Sequence, residues 1–159
     1  MNPTITIQKA TATDAPAVAI LVGELLAEIM AAIGVQAFHF DLDETTARLA
    51  DFINREKYFV FAARDGSGAL VGFIALYESY ALYAEGAFGT IPELYVCPAY
   101  RTHQLGLLLV AQAKAFGLSR GWTRLEVTTP PLPQFDRTLA FYEREGFAIS
   151  GGRKLKKSL

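Results

Sequence analysis

The fold is decided by residues 94–106, Leu-Tyr-Val-Cys-Pro-Ala-Tyr-Arg-Thr-His-Gln-Leu-Gly. An apolar, strand-like run opens this stretch, Pro98 interrupts it, and the pattern predicts a helix that begins near Gln104. The first amides of that helix, from Thr102 to Leu107, have no partners within the helix and point beyond its start. Because the helix dipole adds partial positive charge there, and Arg101 adds a full charge, the junction suits an anion such as a phosphate. A plain strand-to-helix connector is the alternative.

A second segment, residues 140–147, has the sequence Ala-Phe-Tyr-Glu-Arg-Glu-Gly-Phe and places Tyr142 on a short helix that ends at Gly146. The first segment has the pattern Tyr-Val-x-Pro-x-Tyr-Arg-x-x-x-Leu-Gly, and the second has the pattern Phe-Tyr-x-x-x-Gly-Phe. In this order the pair resembles the GNAT superfamily of N-acetyltransferases, which transfer an acetyl group from acetyl-coenzyme A (acetyl-CoA) to an amine.

The resemblance implies a fold as well as an activity. It predicts a single-domain α/β (α+β) architecture over residues 1–159, with a mixed, mostly antiparallel sheet of about six or seven strands and about four flanking helices. Two parallel strands are expected to splay apart at the cofactor site. A composition of 52% hydrophobic residues in 159 is ample for one compact core.

By resemblance, the loop after the strand binds the pyrophosphate of acetyl-CoA, and the strand pairs with its pantetheine arm. The expected cofactor-binding residues are therefore Leu94, Tyr95, Val96, Arg101, Thr102, His103, Gln104, Leu105, Gly106 and Leu107. His103 either contacts a phosphate or faces water. Gln104 stands where the family usually has glycine, and Thr128-Thr129 replaces an asparagine that is common in relatives. These two departures leave open an alternative, an acyl-CoA-binding regulatory module with weakened catalysis.

Two residues are the expected catalytic groups. The resemblance makes Tyr142 the general acid, since a phenol with an ordinary pKa of about 10 stays protonated and can donate toward the cofactor sulfur. Glu93, in the strand before the loop, is the expected base, acting directly or through water, and partial burial would raise its pKa for that role. The alternatives are a packing role for Tyr142 and a solvated carboxylate for Glu93.

Charge and cysteine content exclude several other classes of function. Fifteen basic and sixteen acidic residues leave a net charge of -1, which gives no electrostatic reason to expect a nucleic-acid partner. Cys97 is the only cysteine, so an internal disulfide is impossible, and no metal site is expected. We expect Cys97 to pack as a small apolar residue.

The expected location is the cytoplasm, without a membrane partner. The long apolar region from Ala15 to Val35 is interrupted by Gly23, Glu24 and Glu28, and no basic signal-peptide start precedes it. A homodimer is a further expectation from the resemblance.

The expected acceptor is the primary amine of a small molecule, and a protein lysine or N-terminus is the alternative. Aromatic and acidic residues that could attract a cationic amine near the expected entrance are Phe38, Phe40, Tyr77, Tyr80, Tyr83, Phe88, Glu78 and Glu85. The same aromatic residues could instead form core or a subunit contact. His39 lies in the same region and is expected to be an ordinary loop residue.

Periodicity predicts the elements in order. They are a strand at 4–8, a helix from about Pro16, a helix at 44–54, a hairpin of strands at 58–64 and 70–77, an irregular Tyr- and Ala-rich link, a strand at 91–96, a helix at 104–118, a strand at 124–128, the Tyr142 helix and a final strand at 148–156.

Overall fold

The computed structural model of the chain describes residues 4–159. The chain forms two compact units, Met1–Thr128 and Thr129–Leu159. The first unit contains β1 (Thr6–Lys9), α1 (Ala15–Ile33), α2 (Leu42–Asn54), β2 (Phe59–Arg64), β3 (Leu70–Ala81), β4 (Gly86–Ile91), β5 (Leu94–Val96), α3 (Leu105–Ser119) and β6 (Leu125–Val127). The second unit contains α4 (Asp136–Arg144).

Side-chain caps stabilise the 3₁₀ turn before α1 and the start of α2. A turn of 3₁₀ helix leads into α1, and there the Thr11 N–H donates to the Asp14 carboxylate at 2.8 Å. At the start of α2, the Asp41 carboxylate accepts from the Glu44 N–H at 2.8 Å. Because such a cap satisfies an amide that the helix leaves unpaired, it contributes about 1 kcal/mol. α2 therefore begins at Leu42, slightly earlier than its periodicity predicts.

The long strand β3 organises the sheet, whose order is β1-β2-β3-β4-β6 with β5 also on β3. The first half of β3 pairs with β2 on one side and with β5 on the other. Its second half pairs with β4, and all of these pairings are antiparallel. Only β4 and β6 run parallel among the paired strands of residues 4–159.

β4 and β5 lie one after the other along β3, separated by Pro92 and Glu93. β6 accompanies β4 as far as the pair Ile91–Val127 and then ends. Beyond that pair, β5 is hydrogen-bonded to β3 along one edge, and no described strand pairs with its other edge. The parallel pairing of β4 with β6 thus ends before β5 begins. The predicted fold class, a mixed and mostly antiparallel sheet with four α-helices in residues 4–159, is confirmed.

Apolar side chains fill the space between helices and sheet. One buried cluster joins α1 and α2 to the sheet and includes Val18, Leu21, Leu49, Val60, Phe73 and Tyr95. Each fully buried aliphatic or aromatic side chain of this kind contributes about 1.5–3 kcal/mol. Ala12–Ile33 is long and apolar enough to cross a membrane by length and composition alone, but Val18 and Leu21 from this segment belong to the core cluster. One helix of this kind is weak evidence for a membrane span, because the core helix of a globular protein can have the same length and composition.

Three predicted elements differ from the structure. The strand predicted at 91–96 is interrupted at Pro92 and Glu93, so that Ile91 ends β4 and Leu94–Val96 forms β5. The Tyr- and Ala-rich link is not irregular, because β3 continues to Ala81 and pairs with β4 across a short 3₁₀ turn. The Ser79 and Thr90 hydroxyls, 2.8 Å apart, add a hydrogen bond between the two strands.

The predicted final strand at 148–156 was wrong. No strand forms there, and the side chains of Ile149 and Leu155 are 77% and 90% exposed. A strand needs a face to bury, and this segment, which includes Gly151 and Gly152, buries none.

Candidate functional site

Glu93 lies in the interruption between β4 and β5, just after the parallel pairing of β4 with β6 ends. Its backbone carbonyl accepts from the Ala75 N–H on β3 at 2.9 Å. Both oxygens of its carboxylate lie 3.3 Å from the Tyr58 hydroxyl. The main chain thus remains attached to the sheet while the side chain is held by one phenol.

The surroundings of Glu93 bring its pKa into the neutral range. Burial raises the pKa of this carboxyl to about 7, and the hydrogen bond from Tyr58 opposes that rise. No basic side chain forms an ion pair with Glu93 in the part of the chain that the structure describes. A carboxylate of this kind can take up a proton and release it near neutral pH.

Tyr58 is itself held between two aromatic rings. Its ring centroid lies 5.3 Å from that of Phe52 on α2 and 6.1 Å from that of Tyr77 on β3. Burial, and next the charge of Glu93, raise the pKa of Tyr58 well above its usual range. The phenol therefore stays protonated and serves as a donor.

The start of α3 leaves only part of the expected run of free amides, because the His103 N–H donates to the Tyr100 carbonyl at 3.2 Å. The first helical hydrogen bond runs from the Leu108 N–H to the Gln104 carbonyl at 3.1 Å, so the three preceding amides lie outside the helical ladder. Gln104 adopts a left-handed conformation, with φ 57° and ψ 23°. Glycine adopts this conformation freely, and other residues adopt it at a cost. The chain therefore makes the bend here in spite of the replaced glycine.

Arg101 requires a correction to the expectation of a free positive charge. Its guanidinium pairs with the Glu28 carboxylate of α1 at 2.8 Å, and its Nε–H donates to the Val96 carbonyl at 2.8 Å. The guanidinium also lies 5.4 Å from the centroid of the Tyr95 ring. The reason is the position of Glu28 near the end of α1, which brings a carboxylate to the loop. Arg101 thus anchors the loop to β5 and α1.

The remaining loop residues divide into anchors and exposed side chains. Leu105 is 1% exposed and fixes the start of α3 in the core, whereas Thr102 is exposed. His103 is also exposed and lies edge-on to Tyr100, with centroids 5.7 Å apart. The Tyr100 hydroxyl donates to Asp65 at 3.0 Å, which ties this segment to the hairpin turn between β2 and β3. Gly106 and Leu107 complete the first turn of α3.

β5 offers one edge for a ligand. Leu94, Tyr95 and Val96 pair with β3 through their other edge, and Tyr95 is buried. Backbone amides and carbonyls on an open strand edge are ready partners for an amide-bearing ligand. The next residue, Cys97, packs against the core cluster as expected, and burial raises the pKa of its thiol, which disfavours the reactive thiolate.

Tyr142 belongs to the second unit, on α4. Its ring is 5% exposed and contacts the rings of Phe141 and Phe147, with centroids 5.2 Å and 5.4 Å away. Burial raises the pKa of Tyr142, so its phenol remains a proton donor at neutral pH. Within residues 4–159 its hydroxyl has no hydrogen-bond partner and is not sealed from solvent.

Glu78, which was expected to attract the acceptor amine, instead forms hydrogen bonds and an ion pair within the protein. The Trp122 Nε1–H donates to its carboxylate at 2.6 Å, the Tyr80 hydroxyl donates to the same carboxylate, and Arg120 lies 3.5 Å away. Hydrogen bonds from Tyr80 and Trp122, with a smaller contribution from Arg120, lower the pKa of Glu78. The carboxylate of Glu78 thus already has three partners within the protein.

The other residues expected to attract the acceptor amine include both buried and exposed side chains. Phe88 is 5% exposed and Phe40 packs on Gly23, where an added Cβ would lie 2.6 Å from its ring. Tyr77 is 36% exposed and lies beside Tyr58. Glu85, in a turn with φ 60°, His39 and Phe38 are exposed, as are Tyr80 and Tyr83. No group of three or more His, Cys, Asp or Glu residues suited to a metal ion occurs in residues 4–159.

Sequence reasoning missed Tyr58 as a site residue. Its distance of 35 residues from Glu93 along the chain gives no local pattern. The contact arises because Phe59 lies opposite Leu76 and Leu94 lies opposite Ile74, so β3 brings both segments to the same place. A correct pairing register for the three strands would have been the only signal.

Comparisons with known proteins agree with this architecture. The family model described as "Acetyltransferase (GNAT) family" matches residues 25–147, and the chain therefore belongs to that family. No curated protein matches the chain at a significant level of sequence similarity.

Solved structures share the fold over nearly the whole chain. An acetyltransferase from Trypanosoma brucei is 22% identical with a TM-score of 0.72, and the alignment covers 98% of this chain and 100% of that one. A ribosomal-protein-alanine N-acetyltransferase from Brucella melitensis biovar Abortus 2308 is 19% identical with a TM-score of 0.73, covering 98% and 100%. The aminoglycoside acetyltransferase meta-AAC0020, from an uncultured soil metagenomic sample and in complex with trehalose, is 20% identical with a TM-score of 0.76, covering 98% and 96%. The chain is thus an acetyltransferase of the GNAT family by its sequence and its fold.

Proposed function

We propose that the chain is an acetyl-CoA-dependent N-acetyltransferase that acts on the primary amine of a small molecule by direct attack. The observation that carries the proposal is the partly buried Glu93 carboxylate, with a pKa of about 7, just beyond the end of the β4–β6 pairing. The open edge of β5 and the unbonded amides at the start of α3 lie in the same unit and suit an amide-bearing, phosphate-bearing ligand.

The proposed reaction assigns one proton transfer to each catalytic residue. Acetyl-CoA supplies the acetyl group as a thioester. Glu93 accepts, directly or through water, the proton that the amine loses as its nitrogen bonds to the acetyl carbon. Tyr142 donates its phenolic proton to the sulfur as the carbon–sulfur bond breaks, and it regains a proton from solvent. The amides of the α3 start hold the pyrophosphate, and the backbone of Leu94, Tyr95 and Val96 orients the pantetheine arm.

The proposed acceptor is a small cationic amine. Tyr77, with its ring partly exposed beside Tyr58, offers an aromatic face to an ammonium group, and the charge of Glu93, the partner of Tyr58, attracts it. One structural neighbour is an aminoglycoside acetyltransferase, which favours a small acceptor, and another is a ribosomal-protein-alanine N-acetyltransferase, which favours a protein amine. The same proposal includes a cytoplasmic location and a homodimer. It includes no nucleic-acid partner and no membrane partner.

A panel of amines tests the proposal. The protein is incubated with acetyl-CoA and polyamines, aminoglycosides, free amino acids, or peptides that carry a lysine or an N-terminal alanine, and acetylated product is identified by mass spectrometry. Turnover with the small cationic amines, reduced in Glu93→Gln, is the expected result. Turnover with peptides alone would replace the small-molecule acceptor by a protein.

A second candidate function, an acyl-CoA-binding regulatory module, has a specific observation in its favour. Gln104 places a side chain at the bend of the loop where the family usually has glycine. Calorimetric titration with acetyl-CoA separates the two functions. Tight binding without turnover on any amine would support the regulatory module.

A further inference from the structure

We propose that Tyr58 is a positioning residue for the transfer reaction, whose hydroxyl fixes the Glu93 carboxylate and favours its ionised, proton-accepting form. The inference rests on the proposed function, in which Glu93 takes the proton from the amine. Nothing in the family motifs of this chain includes Tyr58, which directly precedes β2.

The geometry of the contact leaves the carboxylate little freedom. The phenolic oxygen lies 3.3 Å from each carboxylate oxygen, so the hydroxyl faces the carboxylate centrally. The ring that carries it is packed between Phe52 and Tyr77. Tyr58 precedes the pair Phe59–Leu76, and Glu93 precedes the pair Leu94–Ile74, so the sheet register fixes both ends of the contact.

Two opposing influences act on the Glu93 carboxyl. Burial favours its neutral form, and the Tyr58 hydrogen bond favours its charged form. Tyr77, on β3, faces Tyr58 and raises the pKa of the latter rather than that of Glu93. The glutamates of α1, Glu24 and Glu28, likewise raise the pKa of Tyr95, where burial has the larger effect. Among the described residues, Tyr58 is thus the polar group that keeps the base available as the pH falls toward neutrality.

The test compares Tyr58→Phe with wild type in two titrations. Carboxyl ¹³C NMR of glutamate-labelled protein follows Glu93 directly, with its resonance assigned by its loss in Glu93→Gln. Steady-state kinetics give the acid limb of kcat/KM for acetyl-CoA. We expect the Glu93 pKa in Tyr58→Phe to rise by about one pH unit, the shift that a lost hydrogen bond to a charged group produces, and the acid limb to rise with it. The KM for acetyl-CoA should be unchanged.

Tyr80→Phe is the matched control. It removes the same hydroxyl from another tyrosine–glutamate pair, Tyr80–Glu78, which makes no contact with Glu93. Both titrations should coincide with those of wild type. A purely structural role for Tyr58 would change stability or kcat and leave the Glu93 pKa in place.

The outcomes separate the inference from the proposed function. An unchanged Glu93 pKa in Tyr58→Phe would overturn the inference. A shifted Glu93 pKa with a stationary acid limb would leave the Tyr58–Glu93 coupling in place, but it would show that Glu93 is not the base and so overturn both the proposed mechanism and the positioning role.

A reciprocal variant covers the case in which Tyr58→Phe does not fold. The charge of Glu93 and its hydrogen bond both raise the pKa of Tyr58. Because burial keeps that pKa too high for a titration of the folded protein, the readout is the ¹³Cζ resonance of Tyr58, which follows the hydrogen bond of the phenol. In tyrosine-labelled wild type this resonance should shift as Glu93 ionises near pH 7, and in Glu93→Gln, which keeps the size of the side chain, it should stay constant through the neutral range. A wild-type Tyr58 resonance that does not move as Glu93 ionises would contradict the coupling.

Discussion

Two tyrosine–glutamate pairs lie on one sheet and have opposite properties. At the Glu78 pair, Tyr80, Trp122 and Arg120 all face the carboxylate, and the pKa of Glu78 is lowered. At the Glu93 pair, Tyr58 is the sole hydrogen-bond donor to the side chain among the described residues, and burial raises the pKa to about 7.

The difference shows that burial, together with the number and charge of the donors, decides what a carboxylate does, since the residue type is the same at both pairs. A carboxylate with several donors and a cation stays ionised and stabilises the fold. A partly buried carboxylate with one neutral donor remains able to exchange its proton, which is the property that a base needs. Substitutions that remove one partner of either pair should therefore have different consequences.

The largest expected effect is on turnover. Glu93→Gln should lower kcat for amine acetylation by about 10²-fold or more, since it removes the proposed base and retains the shape of the side chain. Glu78→Gln, the same change at the other pair, should alter kcat by less than about threefold because that carboxylate is not a proposed base. Equal losses in the two variants would contradict the distinction between the pairs.

The pH dependence of stability should have opposite signs at the two glutamates. The folded Glu93 has a pKa of about 7 against an ordinary value of 4.5, so it binds a proton that the unfolded chain has released. Its ionisation therefore removes up to about 3 kcal/mol from the free energy of unfolding as the pH rises from about 4.5 to about 7, and this loss persists above that range.

Glu78 has the reverse sign, because its folded pKa is lowered. Its contribution is present above the ordinary pKa and is lost as the pH falls through the folded pKa. Urea unfolding at several pH values, in wild type, Glu93→Gln and Glu78→Gln, measures both effects. Retention of the full pH 4.5–7 slope in Glu93→Gln would contradict the assignment.

Trp122→Phe should weaken the Glu78 pair by removing one of its two neutral donors. Trp122 is 7% exposed, its indole N–H donates to Glu78, and its ring packs on Phe116 and Phe59. Loss of this bond and of buried ring area should lower the free energy of unfolding by about 2 kcal/mol. Urea unfolding checks the loss. The Glu93 pKa, followed by NMR, should stay in place, and its movement would mean that the two pairs are coupled.

The smallest expected effect is at the loop before α3, where backbone strain rather than charge is involved. Gln104 has φ 57°, and Gln104→Gly should raise the free energy of unfolding by about 0.5–1 kcal/mol because the strain is relieved. Gln104→Ala keeps the strain and is the matched control. If the glycine variant is no more stable than the alanine variant, the loop is not strained at this position.

Local features of the fold were predictable from the sequence, and long-range ones were not. The hairpin turn at 65–68 and the strand–loop–helix at 94–106 depend on neighbouring residues, and both formed as predicted. The partners of Arg101 and Glu93 lie 73 and 35 residues away, and only the packing of α1 and the register of the sheet bring them together. The 3₁₀-linked hairpin of β3 and β4 was missed because its turn, at 82–84, has no glycine–asparagine signal.

The most direct test of the account is the pH dependence of kcat/KM for acetyl-CoA at saturating amine, measured in wild type and in Glu93→Gln. Wild type should show an acid limb with a pKa of about 7, from the partly buried Glu93 carboxyl, and this limb should disappear in the variant. An acid limb that persists unchanged in Glu93→Gln, or a wild-type profile without one, would contradict the claim that Glu93 is the base.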